Sequence, residues 1–239
     1  LRKAHWPRIS SLIDEVVEGS TPASSTLATM CAYHMETGGK RLRALLPLLV
    51  GEALESSMDM VPLGAACEML HNAMTVWNRF GVPQAINLGD AMFYFSVLLV
   101  QRVEAPAARR EAMSRRLLVE TLRVIDGQER EFALKGIAEP TLDDYFVMVE
   151  GKTSGLFALP MAGAAEMCGA PTELVEGLAE AARHMGVLFQ IQDDTLDLFG
   201  DKGRDVVGTD IAEGKRSALV VHALEKLEGN RRAALVAVL

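Results

Sequence analysis

Residues 189–200, FQIQDDTLDLFG, set three aspartates, Asp193, Asp194 and Asp197, among apolar side chains. An unpaired buried carboxylate costs several kcal/mol or more, so something must meet these groups. On a helix, Gln190, Asp193 or Asp194, Asp197 and Asp201 recur every three or four residues and project from one face. A charged stripe is ordinarily a solvated surface. Here Phe189, Ile191, Leu196, Leu198 and Phe199 surround it, so the stripe is expected to face a cleft. A cleft lined by carboxylates suits Mg²⁺. That ion takes oxygen ligands, keeps several waters and is typically held by one or two carboxylates together with substrate phosphates.

Cations supply the other half of such a site. In TGGKRLRALLPLL, residues 37–49, Lys40, Arg41 and Arg43 fall at the start of an apolar helical run. A helix N-terminus already carries about half a positive charge, so cations there are unfavourable unless an anion joins them. Backbone N–H groups, dipole and side chains would then converge on a phosphate. EGKTSGLFALP, residues 150–160, puts Lys152 and Thr153 at a Gly-flanked helix start. GTDIAEGKRSALVVHAL, residues 208–224, puts Lys215 one turn into another apolar helix. Each of these two is weak alone. Together they give one carboxylate face and three lysine sites at expected helix starts, which a magnesium-bridged diphosphate would join. His71 follows CEML in an apolar helix, a setting where a lone histidine is more often structural than functional.

Other chemistries find no footing. The chain has no GxSxG, Walker A loop, GxGxxG or HExxH. Its net charge of −8 argues against a general nucleic-acid binder. The cysteines, Cys31, Cys67 and Cys168, are odd in number and far apart, which fits a reducing cytoplasm rather than a disulfide framework. The uncharged runs Ala91–Gln101 and Thr153–Ala165 are too short to span a bilayer. No signal peptide is read at residues 1–20, which carry Asp14, Glu15 and Glu18.

The elements that must position these groups are helices. Apolar residues make up 49% of the chain and aromatics only 5%, a balance that favours helix over strand. The periodicity predicts helices at about 7–18, 24–36, 40–55, 60–76, 83–103, 107–136, 141–149, 152–168, 172–200 and 213–228. Breaks fall at GSTPASS, TGGK, GVPQ, EAPA, IAEP, CGAPTE and GDKGRD. No run shows strand alternation and no linker divides the chain. The expectation is an all-α fold, a single domain of about ten helices over residues 1–239.

GGKRLR, GKTSGLFALP, FQIQDDTLDLFGD and GTDIAEGK stand in the order found in trans-prenyl diphosphate synthases. From about residue 30 to 225 the chain resembles this polyprenyl synthetase family, which includes farnesyl and geranylgeranyl diphosphate synthases. The resemblance implies an isoprenoid-synthase-type helical bundle around a central cavity, usually a homodimer. It implies condensation of isopentenyl diphosphate with an allylic diphosphate, dependent on Mg²⁺. Lys40, Arg43 and His71 match the residues that hold isopentenyl diphosphate. Asp193, Asp194 and Asp197 match the second aspartate-rich motif, which binds Mg²⁺ bridged to the allylic diphosphate. Lys152 and Lys215 match lysines on that diphosphate, and Thr153 and Gln190 match groups whose oxygen dipoles face the developing carbocation.

One departure stands out. The family carries a first DDxxD motif and an RRGxP segment just after the position of EMLHNA, residues 68–73. This sequence passes straight to MTVWNRFGVPQAINLGD. The flanks fit on both sides, so a loop on the order of 15–20 residues is expected between Met74 and Thr75, which would then not be bonded neighbours. Further helices are expected after Leu239. A true loss of the motif would instead fit a non-catalytic subunit that binds a catalytic partner. A class I terpene cyclase is a weaker alternative, since it would not need Lys40 and Arg43.

Overall fold

A computed structural model describes residues 1–36, 39–73, 81–200 and 207–239. The Met74–Thr75 junction and Asp201 lie outside them. All regular secondary structure among the described residues is helical, and they contain no strand. In chain order the helices are α1 (Arg2–Ser20), α2 (Thr26–Glu36), α3 (Leu42–Ala53), α4 (Val61–Ala73), α5 (Val82–Gln101), α6 (Ala107–Lys135) and α7 (Leu142–Val149). A π-helical turn, Glu150–Ser154, leads without a break into α8 (Gly155–Cys168). Then follow α9 (Thr172–Phe199), α10 (Thr209–Ala212), α11 (Ala218–Lys226) and α12 (Gly229–Val236). The all-α expectation holds, and most boundaries fall within two residues of the periodicity.

The chain forms two compact units. The first holds residues 1–120 and 158–180, the second 121–157 and 181–239. In the first, α4 is the centre, packed against α1, α3 and α5. Every residue of α4 except His71 is buried. A helix covered on all sides should be apolar all round, and VPLGAACEML nearly is. Glu68 and Asn72 are the exceptions, buried one turn apart.

The second unit has its own apolar core of Leu134, Tyr145, Met148, Val149 and Val221, flanked by Leu142, Val187, Ile191 and Ala218. Helix α7 enters it from a capping box: the Asp144 N–H donates to Thr141 Oγ1 at 3.2 Å, and the Thr141 N–H donates to the Asp144 carboxylate at 2.9 Å.

Two local expectations are corrected. Lys152 is not at a helix start, because Gly151 does not end α7. Instead residues 150–154 widen into the π-helical turn, a form often found at functional positions. Glycines seat this turn on both sides. A Cβ on Gly127 of α6 would collide with the Lys152 backbone nitrogen and lie 2.6 Å from its Cα. A Cβ on Gly186 of α9 would lie 2.6 Å from the Cα of Ser154. Nor is Lys215 one turn inside a helix. Gly214, at φ 66°, follows the short α10, and Ser217 takes the extended N-cap position of α11. Lys215 therefore stands in the connection.

Gly127→Ala should destabilise the protein by about 1–3 kcal/mol, the usual cost of overpacking a close crossing. Gly177→Ala on α9, with nothing within 4 Å of the added methyl, should stabilise it by up to about 1 kcal/mol. Urea unfolding of the two variants checks both signs. Equal behaviour would mean that the crossing at Gly127 is not tight.

Candidate active site

Two groups of side chains correspond to the sequence motifs, one in each unit. In the first unit the chain before α3 turns sharply. Gly39 has φ 122°, and Arg41, the N-cap residue, has φ 54°. A non-glycine residue in this region costs about 1–3 kcal/mol, which the surroundings must overcome. They do so through the guanidinium. Arg41 is 5% exposed. Its Nη1 donates to Glu68 Oε1 at 2.9 Å, its Nη2 donates to the Met35 carbonyl, and the group lies 4.3 Å from the Trp6 ring centre. Asn72 also donates to Glu68 Oε1, at 3.2 Å. A buried charge is tolerable only when paired in this way.

Arg41 thus fastens the turn, and its neighbours carry the exposed charge. Lys40, which precedes the N-cap, is exposed, and Arg43, in the first turn of α3, is partly so. His71 stands at the end of α4, three residues after Glu68, with a buried Nδ1 that has no hydrogen-bond partner. Burial, with Arg43, Arg41 and His34 nearby, pushes the His71 pKa down to about 3. The imidazole is therefore neutral at pH 7 and would meet an anion as a hydrogen-bond donor. Burial also lowers the Arg43 pKa, partly offset by Glu68.

In the second unit five helices, α6, α7, α9, α10 and α11, and the π-helical turn contribute. Lys152 Nζ donates to Glu131 Oε2 of α6 at 2.6 Å, and Gln128 donates to the same oxygen at 2.7 Å. Thr153 Oγ1 donates to Gln190 Oε1 at 2.9 Å. Gln190 Nε2 donates to Asp194 Oδ1 at 2.9 Å. Asp194 Oδ2 accepts from the Tyr145 hydroxyl at 2.8 Å and from the Ala218 N–H at 2.9 Å. Burial raises the Asp194 pKa, and these three donors pull it back. Asp197 accepts from Thr209 Oγ1 at 2.7 Å and from the Asp210 N–H at 3.0 Å. Lys215 reaches Asp210 at 2.9 Å and Glu213 at 2.8 Å. Burial acts to lower its pKa, but the hydrogen bonds to these two carboxylates outweigh it and hold the ammonium above its ordinary range.

The structure therefore brings Thr153, Gln190 and Asp194 into one chain of hydrogen bonds. It ties Lys152 and Lys215 to carboxylates that sequence reasoning missed, Glu131 and Asp210. Asp210 was in plain view inside GTDIAEGK. Tyr145 and Glu68 carried no signal beyond an apolar neighbourhood. Among the described residues no group of three or more His, Cys, Asp or Glu could hold a metal ion by itself. Asp194 and Asp197 are each 4% exposed, whereas Asp193 is partly exposed. The donor set fits a water-rich Mg²⁺ that draws other oxygens from a diphosphate better than one caged by all three aspartates.

An all-helical fold with an aspartate-rich helix and lysines paired to carboxylates is also what a family of known proteins shares with this chain. The polyprenyl synthetase family model matches residues 73–239, and the chain belongs to that family. It is 29% identical to a short chain isoprenyl diphosphate synthase of Methanocaldococcus jannaschii over 247 residues, covering 95% of this chain and 75% of that protein. It is 29% identical to a geranylgeranyl diphosphate synthase of Methanosarcina mazei, covering 91% and 73%. Among solved structures, geranylgeranyl pyrophosphate synthetase from Pyrococcus horikoshii matches with a TM-score of 0.81 and 26% identity, over 98% of this chain and 80% of that one. The alignment of 247 residues is longer than the 239 of this chain, so the M. jannaschii protein carries residues without a counterpart here.

Stability should fall in acid because of His71. Its folded pKa lies near 3 against an ordinary 6.5, so between those values the unfolded chain binds the extra proton. Stability is then lost as pH drops below about 6.5. His71→Gln should remove about 1–2 kcal/mol of the decline between pH 7 and pH 5. Urea midpoints at the two pH values measure it, and an unchanged acid limb would mean that His71 is not held neutral.

Proposed function

We propose that this chain condenses isopentenyl diphosphate with an allylic prenyl diphosphate and releases inorganic diphosphate. The carrying observation is the pairing of Lys152 and Lys215 with carboxylates beside the Thr153–Gln190–Asp194 chain. Such lysines are charged and poised, and a diphosphate can take them over from Glu131 and Asp210. Lys40 and Arg43 bind the diphosphate of isopentenyl diphosphate, and neutral His71 donates a hydrogen bond to it. Lys152 and Lys215 bind the allylic diphosphate. Asp193 is the carboxylate best placed to share Mg²⁺ with it, and Mg²⁺ when bound draws charge from that leaving group. The allylic C–O bond breaks, and the lone pairs of Thr153 and Gln190 face the cation. The isopentenyl double bond attacks, one C–C bond forms, and a proton leaves, with the released diphosphate as its acceptor. Electrostatic stabilisation of departing charge and alignment of two substrates supply most of the rate.

Residues 1–239 belong to one polyprenyl synthetase domain, with a DDxxD–RRGxP loop owed between Met74 and Thr75. The chain pairs with a second copy: α5 exposes Val82, Ile86, Tyr94 and Leu98, and α6 exposes Leu122, Ile125 and Phe132. Rows of large apolar residues like these are a liability in a monomer. The free thiols Cys31, Cys67 and Cys168 suit a cytoplasmic setting. No helix among the described residues is long and apolar enough to cross a membrane.

Labelled isopentenyl diphosphate, incubated with the chain, Mg²⁺ and geranyl or farnesyl diphosphate, should enter a longer prenyl diphosphate, and EDTA should abolish this. Lys40→Ala should raise KM for isopentenyl diphosphate with little effect on kcat. Incorporation that survives EDTA, or its absence even after a DDxxD–RRGxP segment is inserted at the junction, would overturn the reading. Light scattering should find a dimer, and Ile86→Glu together with Ile125→Glu should shift it to monomer. A wild-type monomer would remove the second copy from the scheme.

A further inference from the structure

We infer that Asp194 is a positioning residue rather than a metal ligand: it sets which way the Gln190 amide faces, and through it the Thr153 hydroxyl. The inference rests on the reading above, in which Thr153 and Gln190 face the allylic cation. Gln190 and Asp194 lie one turn apart on α9, and Asp194 is 4% exposed. Its Oδ2 already accepts two hydrogen bonds, from Tyr145 of α7 and from the first N–H of α11, Ala218. A metal at that oxygen would have to displace one of them. Oδ1 faces the Gln190 amide at 2.9 Å.

A carboxylate only accepts, so it can meet only the NH₂ edge of the amide. The opposite orientation would set two acceptors 2.9 Å apart in a partly buried place and leave the NH₂ without its partner. Asp194 therefore forces the Gln190 carbonyl toward Thr153, whose hydroxyl proton is spent on that oxygen at 2.9 Å. What remains at the Thr153 and Gln190 oxygens is lone pair. An amide facing the other way would offer a positive edge, the wrong sign beside a carbocation. The two neighbouring aspartates thus divide the work: Asp193, partly exposed, goes to metal and diphosphate, and Asp194 holds the dipoles.

Calorimetric titration of Mg²⁺ into protein saturated with inorganic diphosphate reads one half of this division, and steady-state kinetics the other. Asp193→Asn should weaken Mg²⁺ binding on the order of tenfold or more, whereas Asp194→Asn should leave it within about threefold. Asp194→Asn should lower kcat on the order of 10–100-fold with KM for isopentenyl diphosphate unchanged, by analogy with the loss of one preorganised dipole. The double variant Asp194→Asn with Gln190→Leu should be no slower than Gln190→Leu alone, since residues acting in one chain are not additive. Equal loss of Mg²⁺ binding in the two aspartate variants, or additive losses of kcat, would overturn the inference. Tyr145→Phe guards against misfolding. It removes one of three donors to Asp194, so it should leave Mg²⁺ binding unchanged and lower kcat by a smaller factor, and loss of Mg²⁺ binding there would overturn the inference as well. A wild-type chain that binds Mg²⁺ and diphosphate but never elongates a prenyl substrate would sink the proposed reaction, and the Mg²⁺ comparison would still decide whether Asp194 is a ligand.

Discussion

Asp194 stands almost wholly buried on a helix whose neighbours are apolar, and an isolated charge there would be costly enough to unfold a marginal protein. The second unit meets that charge with donors from three directions: a phenol on α7, a backbone N–H at the start of α11, and an amide one turn back on α9. None of these elements can shift far without exposing or stranding the carboxylate. The same constraint that orders the packing of α7, α9 and α11 therefore fixes Gln190 and Thr153. Stability and chemistry are supplied by one set of hydrogen bonds.

The first unit solves a matching problem with the opposite sign. Arg41 occupies a strained backbone position so that its guanidinium can turn inward to Glu68, while Lys40 before it stays exposed and Arg43 after it is partly exposed. Glu68 could be spared from an otherwise apolar α4 only because Arg41 and Asn72 both donate to it. A buried ion pair gives little net stability over an apolar pair of similar volume, but loss of one partner is expensive. Its value here is geometric: it ties the turn before α3 to the central helix that also carries His71.

The sequence made the helices legible because their apolar periodicity is strong, and the motifs legible because charge in an apolar context demands a partner. It left the partners themselves obscure. Glu131, Tyr145 and Glu68 lie 21–49 residues from the groups they contact, and no local pattern announces them, whereas Asp210 stands inside GTDIAEGK, five residues before Lys215. The helix starts expected at Lys152 and Lys215 failed for a related reason. A glycine ends a helix when nothing supports it beyond. Gly151 is instead pressed against Gly127 of α6, so the chain runs on through a wider turn. Gly214 instead takes a positive φ of 66°, which its residue type permits, and the chain turns there. Tertiary contact, rather than propensity, decided between the two.

Lys152 and Thr153 are adjacent in sequence yet serve different partners. Adjacent side chains on a helical turn project in different directions around the axis, so two neighbouring helices are needed to meet both. Lys152 reaches α6 at Glu131 and Thr153 reaches α9 at Gln190. That arrangement requires both helices to come close to the same short segment. Gly127 on one side and Gly186 on the other make the approach possible, because neither presents a Cβ. A larger residue at either place would push one helix away and lengthen one of the two hydrogen bonds. The glycines thus belong to the site although they touch no charge, and the precision with which a lysine and a hydroxyl are set side by side is bought with backbone packed against backbone.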